Sequence, residues 1–380
     1  MAESHSVSVD RLLSGGYFGD TRHVLASCVD RAAAYLDFAD DDASIDPLRE
    51  MLSSSSETGS WQIVLHPIAR YAVRRAMWRL VHGGEAETTP AVRLPSETWA
   101  RSVSENHPRA HASIGEIVWL HPSNAPECAA VMSLLYEAEI APRGLSARVA
   151  LIDGTPATVR GCQDGHALLM RLLPETAQSC IQHVRLMCTY SVDGKASASE
   201  APQPAYFDSV STPTIPGAIF LFSGALEEPW LAAESLLHEA THTKRFDLYM
   251  SPGLLVREYD ARKSESVVST WNKNLKWRRN HWPFDQGLGA YHVYIHLIAF
   301  FLAARTDTTS DHPRIRAHVT DKLAQAIRRA ALLEPQLSAQ AATWLTDEGA
   351  AFFAWLRDCR AQLTEMASGD CPREREPGIQ

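Results

Sequence analysis

The sequence predicts a mainly helical α+β fold, in which a helix with the motif HExxH follows a strand and a later helix is buried. Three observations predict this fold. Helix-spaced apolar residues fill 10–39 and 61–82, short β-branched runs occur in the middle of the chain, and apolar helical patterns dominate its last third. With 45% hydrophobic and 21% charged residues, the 380-residue chain has the composition of a globular protein.

The chain divides by pattern into three parts. Residues 1–112 are helical in pattern, with an acidic, serine-rich loop at 40–60 between two helical segments. Residues 113–367 mix strand and helix patterns and contain the HExxH motif. The polar residues 368–380 are expected to form a flexible tail.

Four short runs rich in apolar and β-branched residues predict the strands of a sheet. They are "IGEIVWL" (114–120), "ARVALID" (147–153), "VRLMCTYS" (184–191) and "PGAIFLF" (216–222). Residues 191–212 are rich in Pro, Ser and Ala and are interpreted as a connection between the last two strands.

Five helices are predicted after the last strand. The first begins at Pro229, which suits a first helical turn, and ends near Met250. The others are expected over 254–272, 286–304, 314–335 and 341–366. The run 286–304 has no charged residue and nearly the length of a membrane span, but its Gly, His and Tyr content favours a buried core helix.

Charge and cysteine usage narrow the class of protein. The 36 basic and 45 acidic residues give a net charge of −9, and no Lys/Arg-rich block indicates nucleic-acid binding. The seven cysteines form no CxxC pair, which is typical of reduced thiols. The N-terminus lacks the pattern of a signal peptide. We therefore expect a cytoplasmic protein without nucleic-acid or membrane partners.

The motif HExxH occurs as His238, Glu239 and His242. Positions i and i+4 share a helix face, so the two imidazoles can bind one metal ion with the glutamate nearby. Apolar residues flank the motif, which indicates that the histidines face the interior. Buried histidines need partners, and a metal ion can satisfy both.

The third metal ligand is left open by the spacing. The long zinc motif HExxHxxGxxH is excluded because Arg245 stands at the glycine position. Glu258 and Glu265 are candidates on the following segment. His292 and His296 lie four residues apart in the most apolar run of the chain, and we favour His292. Such a site suits zinc or non-haem Fe(II).

Basic residues near the motif are candidates for binding a carboxylate. Lys244 lies two residues after the second histidine, and Arg278 lies in "KWRRNHWPF" before the later histidines. A 2-oxo dicarboxylate bound to iron needs a cation for its distal carboxylate, which an Arg or a Lys provides.

The segments "LLHEATHTK", "KWRRNHWP" and "GAYHVYIHLIAFF" together resemble the HExxH-type, 2-oxoglutarate-dependent peptide β-hydroxylases, which modify ribosomally synthesised peptides. The resemblance covers about residues 205–305. It implies Fe(II) held by His238, His242 and His292, with 2-oxoglutarate and O₂ as co-substrates. It further implies Lys244 or Arg278 as the cation for 2-oxoglutarate.

The resemblance also implies a precursor peptide as substrate, hydroxylated at the β-carbon of one residue. The N-terminal region would then dock this peptide or complete the fold. Glu239 would orient a ligand or substrate in such an enzyme. In the alternative, a zinc metallopeptidase, Glu239 would be the general base that deprotonates water.

Overall fold

The computed structural model describes residues 9–38, 46–54, 63–82, 113–114, 117–121, 149–192, 209–250, 253–272, 280–307 and 313–369. Within them the protein is mainly helical with a small mixed sheet, so the predicted α+β class is confirmed. Contacts divide these residues into two compact units. A sheet unit comprises those within 21–170 and 177–252, and a C-terminal unit comprises those within 1–20, 171–176 and 253–380.

The helices longer than two turns are α1 (Arg22–Phe38), α2 (Asp46–Ser54), α3 (Pro67–His82), α4 (Pro156–Leu172), α5 (Pro174–Ile181), α6 (Pro229–Met250), α7 (Phe284–Thr306), α8 (Pro313–Trp344) and α9 (Asp347–Gly369). The strands are β1 (Ser113–Ile114), β2 (Ile117–Leu120), β3 (Val149–Ile152), β4 (Leu186–Val192), β5 (Ser209–Ser211), β6 (Ala218–Phe222), β7 (Val267–Val268) and β8 (His281–Trp282).

The sheet unit is built on six strands in the order β1-β2-β4-β6-β5, with β3 paired to the second half of β4. Strands β2, β4 and β6 are parallel, whereas β1, β3 and β5 pair antiparallel with their neighbours. The four predicted strands are confirmed, although the first is divided into β1 and β2. Strand β5 was not predicted, because its three residues lie in the segment interpreted as a connection.

One face of the sheet is covered by the N-terminal helices. Alternate residues of β4, Leu186 and Tyr190 among them, pack in a single apolar cluster with Leu36 of α1, Leu48 of α2 and Ile68 of α3. Because this core joins residues on both sides of position 113, helices α1, α2 and α3 belong to the sheet unit. The division predicted at 112–113 stays a prediction.

Helix α6 packs against β5 and β6. Its N-terminal end approaches helix α4, where two glycines four residues apart leave no room for a side chain. A Cβ atom on Gly165 would lie 2.6 Å from the Cβ atom of Ala232, and one on Gly161 would lie 2.1 Å from the carbonyl oxygen of Leu226. These glycines allow α4 and the start of α6 to approach at backbone distance.

The C-terminal unit is built around α7, which packs against α8 and α9. The predicted charge-free helix is confirmed, with bounds Phe284–Thr306. Among the described helices, α7 alone is long and apolar enough to cross a membrane, but 89% of its apolar window is buried inside the protein. A core helix of a soluble protein has these properties.

Two predictions for the C-terminal unit are wrong. Residues 254–272 form turns, the short strand β7 and a 3₁₀ helix at Thr270–Asn272 instead of one α-helix. The carboxylate of Asp260 accepts a hydrogen bond from the backbone N–H of Arg262 within one of these turns. Helix α8 also continues through Pro335 to Trp344. The boundary between α8 and α9 lies at Thr346. Its hydroxyl accepts a hydrogen bond from the backbone N–H of Gly349 and so caps the N-terminus of α9.

The close approach of α4 and α6 gives a test of the fold. Gly165→Ala adds a methyl group against Ala232, so it should destabilise the protein by about 1–3 kcal/mol despite alanine's higher helix propensity. Denaturant unfolding monitored by circular dichroism measures this change. Gly369→Ala is the matched control because a Cβ atom there meets nothing within 4 Å. Equal stability of the two variants would contradict the close packing.

Candidate metal centre

The two histidines of HExxH lie side by side on α6. The ring centroids of His238 and His242 are 5.0 Å apart, with the rings at 65° to each other. The side chain of His238 is 35% exposed, and His242 is also partly exposed. The prediction that the histidines face the interior is therefore met only in part: both are partly exposed, although most residues of α6 are buried.

The imidazole of His242 is held neutral by its surroundings. Burial, the positive charge of Arg245 and the neighbouring His238 lower its pKa well below the usual value. The Nδ1 atom of His242 is buried and has no hydrogen-bond partner among the described residues. A neutral imidazole with an unengaged nitrogen is the form of histidine that binds a metal ion.

The side chain of Glu239 is held in place by a residue of strand β5. Its side chain is buried, and the hydroxyl of Ser209 donates a hydrogen bond of 2.5 Å to Oε1. The same oxygen lies 3.7 Å from Nε2 of His238. The second oxygen, Oε2, is buried and finds no hydrogen-bond partner in the described part of the chain. The carboxylate is therefore fixed by one oxygen and has the other available for a ligand.

The opposite side of α6 carries a buried polar network. Asp247 forms an ion pair with Arg70 of α3 and accepts a hydrogen bond of 2.6 Å from Nδ1 of His183. Nε2 of His183 then accepts a hydrogen bond of 2.7 Å from the hydroxyl of Thr21. Burial lowers the pKa of His183 despite the nearby Asp247, so the ring is neutral at pH 7.

Lys244 belongs to this back side of α6. The residue is fully buried, and Nζ donates a hydrogen bond of 2.8 Å to the hydroxyl of Ser179 on α5. At about 100° per residue, Lys244 lies roughly 200° round the helix from His242. The predicted role of Lys244 as the carboxylate-binding cation does not fit this placement. Arg278, the other predicted cation, lies outside the described residues.

His292 and His296 lie on α7 in the C-terminal unit, and both are fully buried. Their ring centroids are 4.5 Å apart, and His292 packs edge-on against Phe352 at 5.2 Å. Nδ1 of His296 donates to the backbone oxygen of His292 at 3.0 Å, because a carbonyl oxygen can only accept. Both histidines are thus ordered by α7 and α9.

A third metal ligand is not assembled within either unit. No group of three or more His, Cys, Asp or Glu side chains in the described parts of a unit is arranged to hold a metal ion. Glu258 and Glu265, the alternative ligands, are exposed in the C-terminal unit. His238 and His242 fit a metal as a pair of imidazole nitrogen donors. His292 as the third ligand stays a prediction.

Comparison with models of protein families and with curated proteins gives no match for this chain.

Sequence reasoning missed two residues beside the histidine pair. Ser209 gave no signal, since its strand is three residues long and its contact with Glu239 is made through the fold. Arg245 was noted only as a departure from a zinc motif. Its position three residues after His242 and seven after His238 was a readable signal for the same helix face.

Ser209 and Ser211 provide a matched test of the Glu239 site. Ser209→Ala removes the hydrogen bond to a buried carboxylate and should destabilise the protein by about 1–3 kcal/mol. Ser211→Ala, two residues along the strand, should cost little, because its buried hydroxyl has no partner among the described residues. Urea unfolding of both variants measures the difference. A larger loss for Ser211→Ala would contradict the role given to Ser209.

Asp247 gives a test of the network behind α6. Asp247→Asn leaves the Arg70 guanidinium without its charge partner, so the protein should lose about 3–5 kcal/mol of unfolding free energy at pH 7. Arg262→Ala, which breaks the exposed pair with Asp260, should change stability little. Denaturant midpoints measure both changes, and equal losses would contradict the network.

Asp247→Asn should also remove a part of the pH dependence of the protein's stability. Burial raises the pKa of Asp247, but the charge of Arg70 and the hydrogen bond from His183 outweigh it, so the pKa is lowered. Its contribution is therefore complete above the unfolded pKa of about 3.9 and is lost as the pH falls below it. The gap in melting temperature between wild type and Asp247→Asn should narrow only below about pH 4.

Proposed function

We propose that this protein is an Fe(II)- and 2-oxoglutarate-dependent oxygenase that β-hydroxylates a residue of a ribosomally synthesised precursor peptide in the cytoplasm. One observation supports it most: His238 and His242 stand side by side on a partly open face of α6, beside a buried Glu239. The resemblance of about residues 205–305 to peptide β-hydroxylases selects this chemistry among those that a histidine pair can support.

In this proposal His238 and His242 would hold the iron, with His292 as the proposed third ligand. Iron, 2-oxoglutarate and O₂ supply the oxidising power that converts a C–H bond to C–OH, with succinate and CO₂ as the other products. The chain itself binds and orients the reactants. Orientation of this kind accounts for much of the rate that a protein adds to a cofactor's chemistry.

Glu239 would act as an orienting group. Because Ser209 fixes Oε1, the free oxygen Oε2 keeps one direction and can accept a hydrogen bond from the substrate or from a ligand beside the histidines. The carboxylate needs no change of protonation for this role. The precursor peptide is the proposed partner, and no nucleic acid or membrane is involved.

A zinc metallopeptidase is the second candidate. The observation that favours it is also Glu239, whose buried carboxylate lies 3.7 Å from the His238 ring and offers one unengaged oxygen. In a peptidase this oxygen would remove a proton from the attacking water. The two functions therefore assign different roles to Glu239. It orients a ligand or substrate in an oxygenase and acts as a general base in a peptidase, and an experiment can distinguish these roles.

An anaerobic titration tests the proposal. Metal-free protein receives Fe(II) and then 2-oxoglutarate while the visible spectrum is recorded. We expect a weak charge-transfer band that requires both additions, because the 2-oxo acid chelates the iron, and we expect His242→Ala to abolish it. His318, distant in sequence and on α8, provides the control variant His318→Ala, which should keep the band.

Glu239→Gln separates the two candidates. An orienting glutamate is partly replaced by an amide of the same shape, so the band should persist in this variant. A peptidase should instead retain tight zinc, give no band with 2-oxoglutarate, and lose hydrolysis of an unstructured protein such as casein on Glu239→Gln. That pattern would contradict the oxygenase.

A further inference from the structure

A cluster of aromatic rings lies at the surface of the C-terminal unit. Trp271 belongs to the 3₁₀ helix, Trp282 to β8 and Tyr294 to α7. The ring centroid of Trp271 lies 5.7 Å from that of Trp282 and 5.7 Å from that of Tyr294. Both tryptophans are partly exposed, whereas Tyr294 is buried. These three residues, together with Arg329, are called the aromatic surface below.

Arg329 of α8 completes the aromatic surface. The central carbon of its guanidinium lies 5.1 Å from the ring centroid of Trp271 and 5.5 Å from that of Tyr294. Its Nη1 atom donates a hydrogen bond of 3.3 Å to the hydroxyl of Tyr294. These contacts hold the flat group in place and use one of its five N–H donors. The residue is partly exposed, so its charge remains at the surface.

The aromatic surface offers mainly hydrogen-bond donors. The indole N–H groups of Trp271 and Trp282 and the other donors of Arg329 have no acceptor among the described residues. An indole nitrogen and a guanidinium can only donate hydrogen bonds. A ligand with several acceptor oxygens matches this pattern, and a carboxylate also has the complementary charge.

Carboxylates near the aromatic surface in sequence are engaged elsewhere. Glu334, five residues after Arg329, lies about 140° away round α8 and pairs with Arg360. Asp285, at the start of α7, accepts a hydrogen bond from Tyr259. Within the described part of the chain, no carboxylate forms an ion pair with Arg329. The aromatic surface is therefore a positive site on a chain whose net charge is −9.

A side chain of α8 anchors the strands beside the aromatic surface. Gln336 accepts a hydrogen bond of 2.7 Å from the N–H of Val268 and donates one of 3.3 Å to its carbonyl oxygen. Gln336 follows Arg329 by seven residues, so both lie on the same face of α8. Strand β7 in turn pairs with β8, where Val267 is opposite Trp282. The donors are thus ordered before a ligand binds, which reduces the entropy lost on binding.

We propose that the aromatic surface binds an acidic peptide segment, with a carboxylate at Arg329 and an apolar side chain against the exposed parts of Trp271 and Trp282. Trp, Tyr and Arg are the residue types that most often dominate the energy of protein interfaces. The overall negative charge favours a short acidic segment over a nucleic acid. That this segment belongs to the precursor peptide rests on the proposed function, whereas the acidic character of the partner does not.

Isothermal titration calorimetry of the full-length protein, without iron or 2-oxoglutarate, tests the proposal. The probes are two eight-residue peptides with blocked ends. One alternates Glu with Leu, and the other has Gln in place of every Glu. The wild-type protein should bind the Glu peptide about 10-fold or more tightly than the Gln peptide, as expected for charge-assisted hydrogen bonds. Added salt should reduce this preference.

Arg329→Gln should reduce this preference to less than about 3-fold while the dissociation constant of the Gln peptide stays the same, which a loss of folding would not do. Arg329→Lys keeps a charge without the flat group and should give an intermediate preference, which covers the case in which the glutamine variant fails to fold. Arg328→Gln is the matched control and should retain the full preference, because Arg328 is exposed and lies about 100° away round α8.

Equal affinity of the wild-type protein for the two peptides, or no binding of either, would overturn the proposal. Equal losses of preference in Arg329→Gln and Arg328→Gln would also overturn it. Octathymidylate provides the comparison with a nucleic acid: if it binds more tightly than the Glu peptide and depends on Arg329, the surface serves another class of partner and the proposal is wrong. Because no iron is present, failure of the iron titration would remove the proposed function and leave the aromatic surface standing.

Discussion

The buried carboxylate of Asp247 is the constraint on which the candidate site depends. A charge removed from water is stable only with partners, and Asp247 has two, Arg70 and His183, from separate elements of the sheet unit. Since Asp247 follows His242 by five residues, it lies about 140° away round the helix. Pairing on the back of α6 therefore fixes which side chains stand on its front.

The two faces of α6 differ in whether their buried polar groups have hydrogen-bond partners. The front is the face that carries His238 and His242, and the back is the face that carries Lys244 and Asp247. On the back, the donors of Lys244, Arg70 and His183 each have a partner inside the unit. On the front, His242 and Glu239 each keep a buried polar atom without a partner in the described chain. Such atoms are costly in a closed core, so their presence on one face marks where a ligand would complete the structure.

Sequence reasoning located the parts of this arrangement that depend on local spacing. The histidine pair, α7 and strand β6 before α6 follow from local spacing and composition. The polar network behind α6 could not be predicted in this way. Arg70 and Asp247 are 177 residues apart, and the local sequence around one gives no indication that it pairs with the other. The helix expected at 254–272 failed for a related reason: side chains such as Asp260 satisfied the backbone within turns, which periodicity does not register.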